Sequence, residues 1–305
     1  MAIYKKLPRF FYDTSTSVPV GCGSKDTRPK SKNTKKGGTV LIWMLGDVHG
    51  NFDHVLETVK ASRERPAAVI FLGDLECPAP FSACVAGIEA AGIQCWAIPG
   101  NHDTDSIENY LNLWGDPLFK ERNLHGRVVE IAGVRVAGLG GVFRGEIWYP
   151  RQGMEKPVLM GWKDFVDQQN GWKPTRLRVG VTQLTTELIS RDGVLRRHCS
   201  TIFYEDWLRL YGQKADVLVT HEAPCCHPHG FGAITALAQS LKVNFAFHGH
   251  QHDSLNFRTH DSRLGFAAHS VGFMGITDGF GGRVRVGSFD EAFERAYQKY
   301  RNERI

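Results

Sequence analysis

The sequence contains no run of about 18 apolar residues, so no conventional membrane-spanning helix is expected. The first residues, Met1 to Phe11, are charged and lack an apolar stretch of the length a secretory signal needs. Cysteine is sparse for a disulfide scaffold. There are seven, an odd number, and they are scattered without framework spacing. With no secretory signal, a reducing cytoplasm is the expected setting. No internal repeat is visible, and nothing of low complexity lies beyond the N-terminal segment. Charge is nearly balanced too. A net charge of +5 over 305 residues permits anionic substrates without specifying nucleic acid.

What is present is ordinary for a soluble globular chain able to bury a sizeable core: 42% hydrophobic and 23% charged residues. The length allows one large domain or two small ones. Residues 1–38 read as a basic, disordered tail. There Lys25, Arg28, Lys30, Lys32, Lys35 and Lys36 alternate with Ser, Thr, Asn, Pro and Gly. A nucleic-acid or membrane-surface contact is the other use such an arm would have.

From Val40 the chain alternates. The apolar run 40–45 predicts a buried strand, and Val55, Leu56 and Val59 predict a helix near 52–63. A strand at 67–72, a helix near 82–91, a strand at 94–98 and a helix near 105–114 follow. Residues 128–131 and 134–139 read as a hairpin about Ala132-Gly133. This pattern argues for an α/β domain with a largely buried sheet. Residues 145–213 break the rhythm with four tryptophans (Trp148, Trp162, Trp172, Trp207) and the basic cluster Arg191, Arg196 and Arg197. They read as a partly helical insertion, either a cap over the site or a packing lobe with its own aromatic core. The alternation resumes with a strand at 216–220, a helix near 232–241, a strand at 244–247 and short β segments up to Val286. Ser288-x-x-Glu291 reads as a capping box. It opens a last helix, 289–302, with Ala292, Phe293, Ala296, Tyr297 and Tyr300 on one stripe.

Five stretches carry chemistry, each just after a predicted strand: Gly46-Asp47-Val48-His49-Gly50, Gly73-Asp74, Gly100-Asn101-His102-Asp103, His221-Glu222 and Gly249-His250-Gln251-His252. Ligand sites in α/β sheets form outside the carboxyl ends of strands, so these ends can converge. Carboxylates, an amide and several imidazoles together suit borderline divalent metals such as Mn, Fe, Zn, Ni or Co. They do not suit a Cys-based structural zinc site. His221-Glu222-Ala223-Pro224-Cys225 begins like a zincin helix, but it lacks the second His and carries a proline. Cys225, Cys226, His227 and His229 crowd one tight loop with no second Cys pair.

The ordered motifs D-x-H, G-D, G-N-H-(D/E), a lone H and G-H-x-H resemble those of the calcineurin-like metallophosphoesterases. All five are present over residues 46–252. The resemblance implies a four-layer α/β sandwich with a central insertion and two metals at its crest, Mn being the expected ion. It implies Asp47, His49 and His252 on the first metal, Asn101, His221 and His250 on the second, and Asp74 bridging. His102 would face the substrate as acid or phosphate contact, oriented by Asp103. Two metals sharing a carboxylate can hold a bridging hydroxide for in-line attack on a phosphoester, with His102 protonating the leaving oxygen. The protein Ser/Thr phosphatase branch reads G-D-x-V-D-R-G at its second motif. Here that motif is Gly73-Asp74-Leu75-Glu76-Cys77-Pro78, which argues against a phosphoprotein substrate. Arg144 and Arg151 are candidate phosphate contacts. The expected activity is hydrolysis of a phosphomonoester, such as a phosphorylated small molecule. The alternatives are a phosphodiesterase or nuclease, for which the basic tail speaks, and a binding scaffold without turnover.

Overall fold

Successive side chains of a strand point to opposite faces, so a strand apolar at every position must be covered on both sides. The central strands are of this kind. In the computed structural model they form two five-stranded sheets. Residues 41–172, 185–293 and 295 are described. The expected basic tail, the stretch 173–184 of the insertion and most of the expected last helix lie outside the described residues.

The strands are β1 (Ile42–Leu45), β2 (Ala68–Phe71), β3 (Gln94–Ala97), β4 (Arg127–Ile131), β5 (Val134–Leu139), β6 (Val217–Thr220), β7 (Phe245–His248), β8 (Ala267–Ser270), β9 (Ile276–Asp278) and β10 (Arg283–Arg285). One sheet has the order β10-β9-β1-β2-β3 and the other β4-β5-β6-β7-β8. Strands β1, β2 and β3 run parallel, as do β5 through β8. The antiparallel strands β4, β9 and β10 lie towards the sheet edges. The expected hairpin about Ala132-Gly133 pairs β4 with β5, and both turn residues are left-handed, at φ 50° and 81°.

The alternation sorts the core into three layers. Ile42, Met44, Ala68, Ile70 and Leu72 of the first sheet meet Val136, Val217, Val219 and Phe247 of the second. Trp43, Leu45, Val69 and Phe71 face the other way. They pack on α1 (Asp53–Ala61), α2 (Phe81–Cys84), α3 (Ala86–Ala90), α4 (Ile107–Trp114) and α5 (Pro117–Arg122). Ala137, Leu139, Leu218 and Ala246 form the outer face of the second sheet. Helix–sheet–sheet–helix is the four-layer sandwich. Burying an aliphatic or aromatic side chain contributes about 1.5–3 kcal/mol, so the two sheets are held by many such contacts rather than by one contact.

The insertion carries α6 (Trp162–Trp172), α7 (Thr186–Arg191), α8 (Gly193–His198) and α9 (Tyr204–Leu210). Its aromatic residues do not form a separate core. Trp148, Phe165, Phe203 and Trp207 join the outer cluster of the second sheet, against Phe231, Ile234 and Leu237 at α10 (Gly232–Leu241). The Trp207 indole donates to the Ala233 carbonyl at 2.8 Å. After the short α11 (Asp261–Leu264), the chain is helical again at 290–293. Its cap differs from the expected box. The Ser288 hydroxyl turns to Met274 Sδ at 3.9 Å, and the Asp290 carboxylate accepts from Gly287 N at 3.0 Å. Phe293, expected on a buried stripe, is 39% exposed.

Several imidazoles are buried away from the strand ends that carry the motifs. His54 on α1 has no hydrogen-bond partner for either ring nitrogen among the described residues. Burial, then Arg285, lowers it to about 4. Burial likewise lowers His198 and His269 to about 4, with Arg144 and Arg258 respectively adding to the effect. Between pH 6.5 and 4 these three rings therefore bind more protons in the unfolded chain than in the folded one, and their contribution to stability falls as pH drops through that window. Wild-type protein is expected to lose urea resistance between pH 7 and 5. His54→Leu should be spared roughly 1–3 kcal/mol of that loss. Identical pH profiles for the two proteins in urea titrations would contradict the assignment.

Candidate metal centre

Parallel strands place their carboxyl ends on one edge, and the motif residues leave from those ends. Asp47 follows β1, Asp74 follows β2, Asn101 follows β3, His221 follows β6, and His250 and His252 follow β7. The turns are tight. A Cβ on Gly73 would sit 2.4 Å from His221 Nδ1, and one on Gly100 would sit 2.2 Å from Asp74 Oδ1. These two glycines let three segments cross where any side chain would collide. Left-handed backbone at non-glycine positions gathers at the same edge: His49 (φ 41°), Asp74 (50°), Glu76 (44°), His250 (68°) and His252 (60°). Each costs about 1–2 kcal/mol, a strain that clusters at functional sites.

Two donor groups result, with ligand atoms within 4.8 Å of one another in each. The first is Asp47, His49, Asp74 and His252. The second is Asp74, His221 and His250. Asp74 belongs to both. In the first, His252 Nε2 is 3.1 Å from Asp47 Oδ2 and 3.2 Å from His49 Nε2. His49 Nε2 lies 3.8 Å from Asp74 Oδ2. In the second, His221 Nε2 is 3.4 Å from Asp74 Oδ1 and 3.1 Å from Asn101 Oδ1. The His221 and His250 rings lie 4.7 Å apart.

Backbone contacts fix these donors. His250 N donates to both Asp47 oxygens, at 2.9 and 3.1 Å. His102 N donates to Asp74 Oδ1 at 2.9 Å. His221 Nδ1 faces the Leu72 carbonyl at 2.7 Å, so Nδ1 carries the proton in the neutral ring and Nε2 is free to ligate. Asp47, Asp74 and His221 are at most 1% exposed.

The fit to cations shows in the charges. Asp74 Oδ2 is buried without a hydrogen-bond partner among the described residues, and the salt bridges there show no lysine or arginine on Asp47 or Asp74. Burial opposes the charged form of His221, yet Asp74 and then Asp47 outweigh it and lift the imidazole to about 10. Burial, together with the neighbouring imidazoles, lowers His250 to about 3, leaving its lone pair available. A buried anionic centre that draws protons onto its own imidazoles is one that divalent cations would neutralise.

His102 lies beside this centre, its ring 5.3 Å from His49, with a side chain 43% exposed. Burial disfavours its charge, but Asp74, Asp105 and Glu76 outweigh burial and raise its pKa. Its partner differs from the expected one. Asp103 does not hold His102. The fully buried Asp103 carboxylate accepts from Gly100 N at 2.7 Å and Glu76 N at 2.8 Å, tying two motif loops together. Asp105 takes the expected role, 2.6 Å from His102 Nδ1, and Glu76 Oε1 is at 3.6 Å. The cause is local geometry. Residues 102–104 form a 3₁₀ turn, in which positions i and i+3 eclipse and i+1 points elsewhere. The spacing His102-x-x-Asp105 was the available signal. Glu76 had none beyond its place after Gly73-Asp74. It also lies 3.3 Å from His49 Nδ1, and with His102 and Asp105 it makes a third group of donors.

Glu222 is a further carboxylate at this edge. It accepts from Phe143 N at 3.2 Å, lies 4.0 Å from His250 Nε2, and is pushed by burial up to about 7. Arg144 is half-buried. It donates to the Thr201 hydroxyl at 3.0 Å, and its charge is felt by Glu222. Arg151 is exposed and donates to the Pro228 carbonyl at 2.8 Å. His227, in the Cys225–His229 loop, pairs with Asp253 at 3.0 Å.

The comparisons agree with this geometry. The family model for calcineurin-like phosphoesterases matches residues 40–254, and the chain belongs to that family. A Haemophilus influenzae protein described only as uncharacterized is 35% identical over 246 residues, spanning 79% of this chain and 95% of that one. The crystal structure of TT1561 from Thermus thermophilus aligns with 81% of this chain and 100% of that one. The identity is 13% and the TM-score 0.43, a likeness too slight to carry an argument.

Asp103→Ala would leave the Gly100 and Glu76 N–H groups buried and unpaired, and is expected to cost about 2–4 kcal/mol in urea unfolding. Asp105→Ala, at an exposed position, should change stability by less than about 1 kcal/mol. Equal losses would show that the two carboxylates are not divided between structure and site.

Proposed function

We propose that this chain is a dinuclear-metal phosphatase that hydrolyses a phosphomonoester. The observation that carries the reading is the pair of donor groups that share Asp74. Asp47, His49 and His252 would hold one ion, Asn101, His221 and His250 the other, and Asp74 both. Nitrogen and oxygen donors without a thiolate support Mn first, with Fe, Zn, Ni or Co also accepted. Two such ions supply Lewis acidity, which brings the pKa of bound water towards about 7 and neutralises phosphoryl charge.

The protein's own groups do the rest. His102 stands at the open side of the centre, where it can give a proton to the departing ester oxygen. Asp105 and Glu76 hold its Nδ1 side, leaving Nε2 free for that transfer. Arg144, anchored on Thr201, would meet a phosphoryl oxygen. Its guanidinium donates to the Thr201 and Ser200 hydroxyls and has no carboxylate within salt-bridge reach among the described residues, and a positive charge not matched by a carboxylate favours the dianionic monoester over a diester. Arg151 would be a weaker contact, because it is already engaged with Pro228. A cytoplasmic setting belongs to the same reading, and the six described cysteines are free thiols.

Protein supplied with Mn²⁺ is expected to turn over p-nitrophenyl phosphate faster than bis-p-nitrophenyl phosphate or single-stranded DNA. Turnover of the diesters alone would overturn the monoester reading. Metal bound without turnover on any of the three would favour a scaffold. Asp74→Asn is expected to strip metal and activity together. His102→Ala should keep its metal, by elemental analysis, while kcat falls by roughly 10²–10⁴-fold. Equal metal loss in the two variants would contradict these roles.

A further inference from the structure

Beside the donor groups lies a pair of phenyl rings that the proposed chemistry does not use. The Phe273 centroid is 5.1 Å from His252 and 5.4 Å from His49. Phe289 stacks on Phe273 at 4.8 Å, with the planes 16° apart. His49 in turn is 5.3 Å from His102. Phe289, Phe273, His49 and His102 therefore form a continuous series from the apolar edge to the expected proton donor. Phe289 is 43% exposed, and Phe293 and Val286, near it in sequence, are 39% and 51% exposed.

The backbone that builds the centre also fixes this shelf. Phe273 lies between β8 and β9, in a loop that wraps Asp47. Met274 N donates to the Asp47 carbonyl and Gly46 N to the Gly275 carbonyl, both at 3.0 Å. Ser288 N donates to the Phe273 carbonyl at 2.8 Å, which joins the Phe289 segment to the same loop. Met274 is held at φ 54°, a left-handed conformation that persists in a non-glycine residue only where the surroundings enforce it. Single exposed apolar residues are common and mean little. A stacked, partly exposed aromatic pair clamped against candidate ligands is a different case. It offers a flat apolar face next to a charged centre.

We propose that Phe273 and Phe289 form the subsite for the organic part of the substrate, and that this part carries a planar aromatic ring. The inference rests on the phosphoester reading, which places the phosphoryl group at the shared carboxylate. An aromatic ring on that phosphoryl group would reach the shelf and stack there, in the offset or edge-on arrangements aromatic pairs favour. A simple aryl group and a nucleobase offer the same planar chemistry.

The test is calorimetric binding of non-hydrolysable phosphonates to the full chain loaded with Mn²⁺. Phenylphosphonate is expected to bind about 5–10-fold more tightly than methylphosphonate, and more tightly than cyclohexylphosphonate, which is apolar but not planar. The methylenephosphonate analogue of adenosine monophosphate separates the two sources. It should exceed phenylphosphonate if the ring is a nucleobase and fall below it if the ring is a simple aryl group. Phe289→Ala should abolish the phenyl-over-methyl preference while metal content and methylphosphonate affinity stay unchanged. Phe289→Leu, which keeps apolar bulk, should abolish the phenyl-over-cyclohexyl preference. Equal wild-type affinities for phenyl- and methylphosphonate, or a Phe289→Ala variant that weakens both alike, would overturn the subsite. If no phosphonate binds the metal-loaded chain, the phosphoester reading fails and the subsite fails with it.

Discussion

A carboxylate with 1% exposure, faced by imidazoles and, among the described residues, by no lysine or arginine, is the constraint from which the rest follows. Asp74 accepts the His102 N–H on one oxygen and has no described partner on the other. Taking such a charge out of water costs several kcal/mol, and no arginine or lysine among the described residues offsets it. The same edge, with the Met274 loop that wraps Asp47, holds six left-handed non-glycine residues. The crest is thus unfavourable on two independent counts, desolvated charge and backbone strain. It persists because three apolar layers on either side of and between the sheets fix the strand ends that carry it. In a folded protein, such local cost marks a place shaped for something other than stability.

The insertion belongs to this arrangement as much as the sheets do. Its aromatic side continues the outer core of the second sheet, so it cannot swing as a separate lobe without opening that core. Its polar side grips the loop that carries His102. Arg196 donates to the carbonyls of Thr104 at 3.1 Å and Asp105 at 3.4 Å, and the Thr104 and Ser200 hydroxyls are 2.8 Å apart. The described part of the insertion thus packs on the second sheet with one face and holds residues 104–105 with the other. The basic cluster is divided accordingly. Arg196 is spent on backbone carbonyls, Arg191 pairs with Glu187, and Arg197 pairs with Glu146.

The sandwich was legible because its strands are apolar at nearly every position and end on glycine-flanked polar residues. A chain patterned in that way has few other ways to cover both faces of a sheet. The convergence of the motif residues was legible because each sits one to four positions past a strand end, where parallel topology leaves little freedom; their sorting into two groups about Asp74 came from the family resemblance. Legibility ended where side-chain direction depends on the local turn. Asp103 and Asp105 are equally acidic and nearly equally placed in sequence, and only the 3₁₀ turn decides that the first points inward and the second to His102. Ser288 and Asp290 changed places for a similar reason, because a close contact with the Phe273 loop fixes where the last helix starts. Glu76 and Phe273 were not legible at all. Each reaches the centre through a loop whose path is set by contacts with residues far away in sequence.

These late-found residues make the crest asymmetric. At the second donor group, Arg144 extends from the segment after β5, with Glu222 and His250 nearby. At the first, Phe273 lies against His49 and His252. One side thus offers a guanidinium held by a hydroxyl, and the other a flat hydrocarbon face. His102 adjoins the first side through His49, and Arg144 is also close enough to Asp105 to feel its charge. A molecule satisfying both sides at once needs a compact anionic end and an apolar end joined through an oxygen near His102. A phosphomonoester of an aromatic-bearing alcohol has that polarity, whereas a diester within a polymer would extend charge over the hydrocarbon face. Both sides are built on loops that leave parallel strands at the same edge. On the proposed reading, ligand selectivity would therefore change through residues 144 and 273 without disturbing the shared carboxylate beneath them.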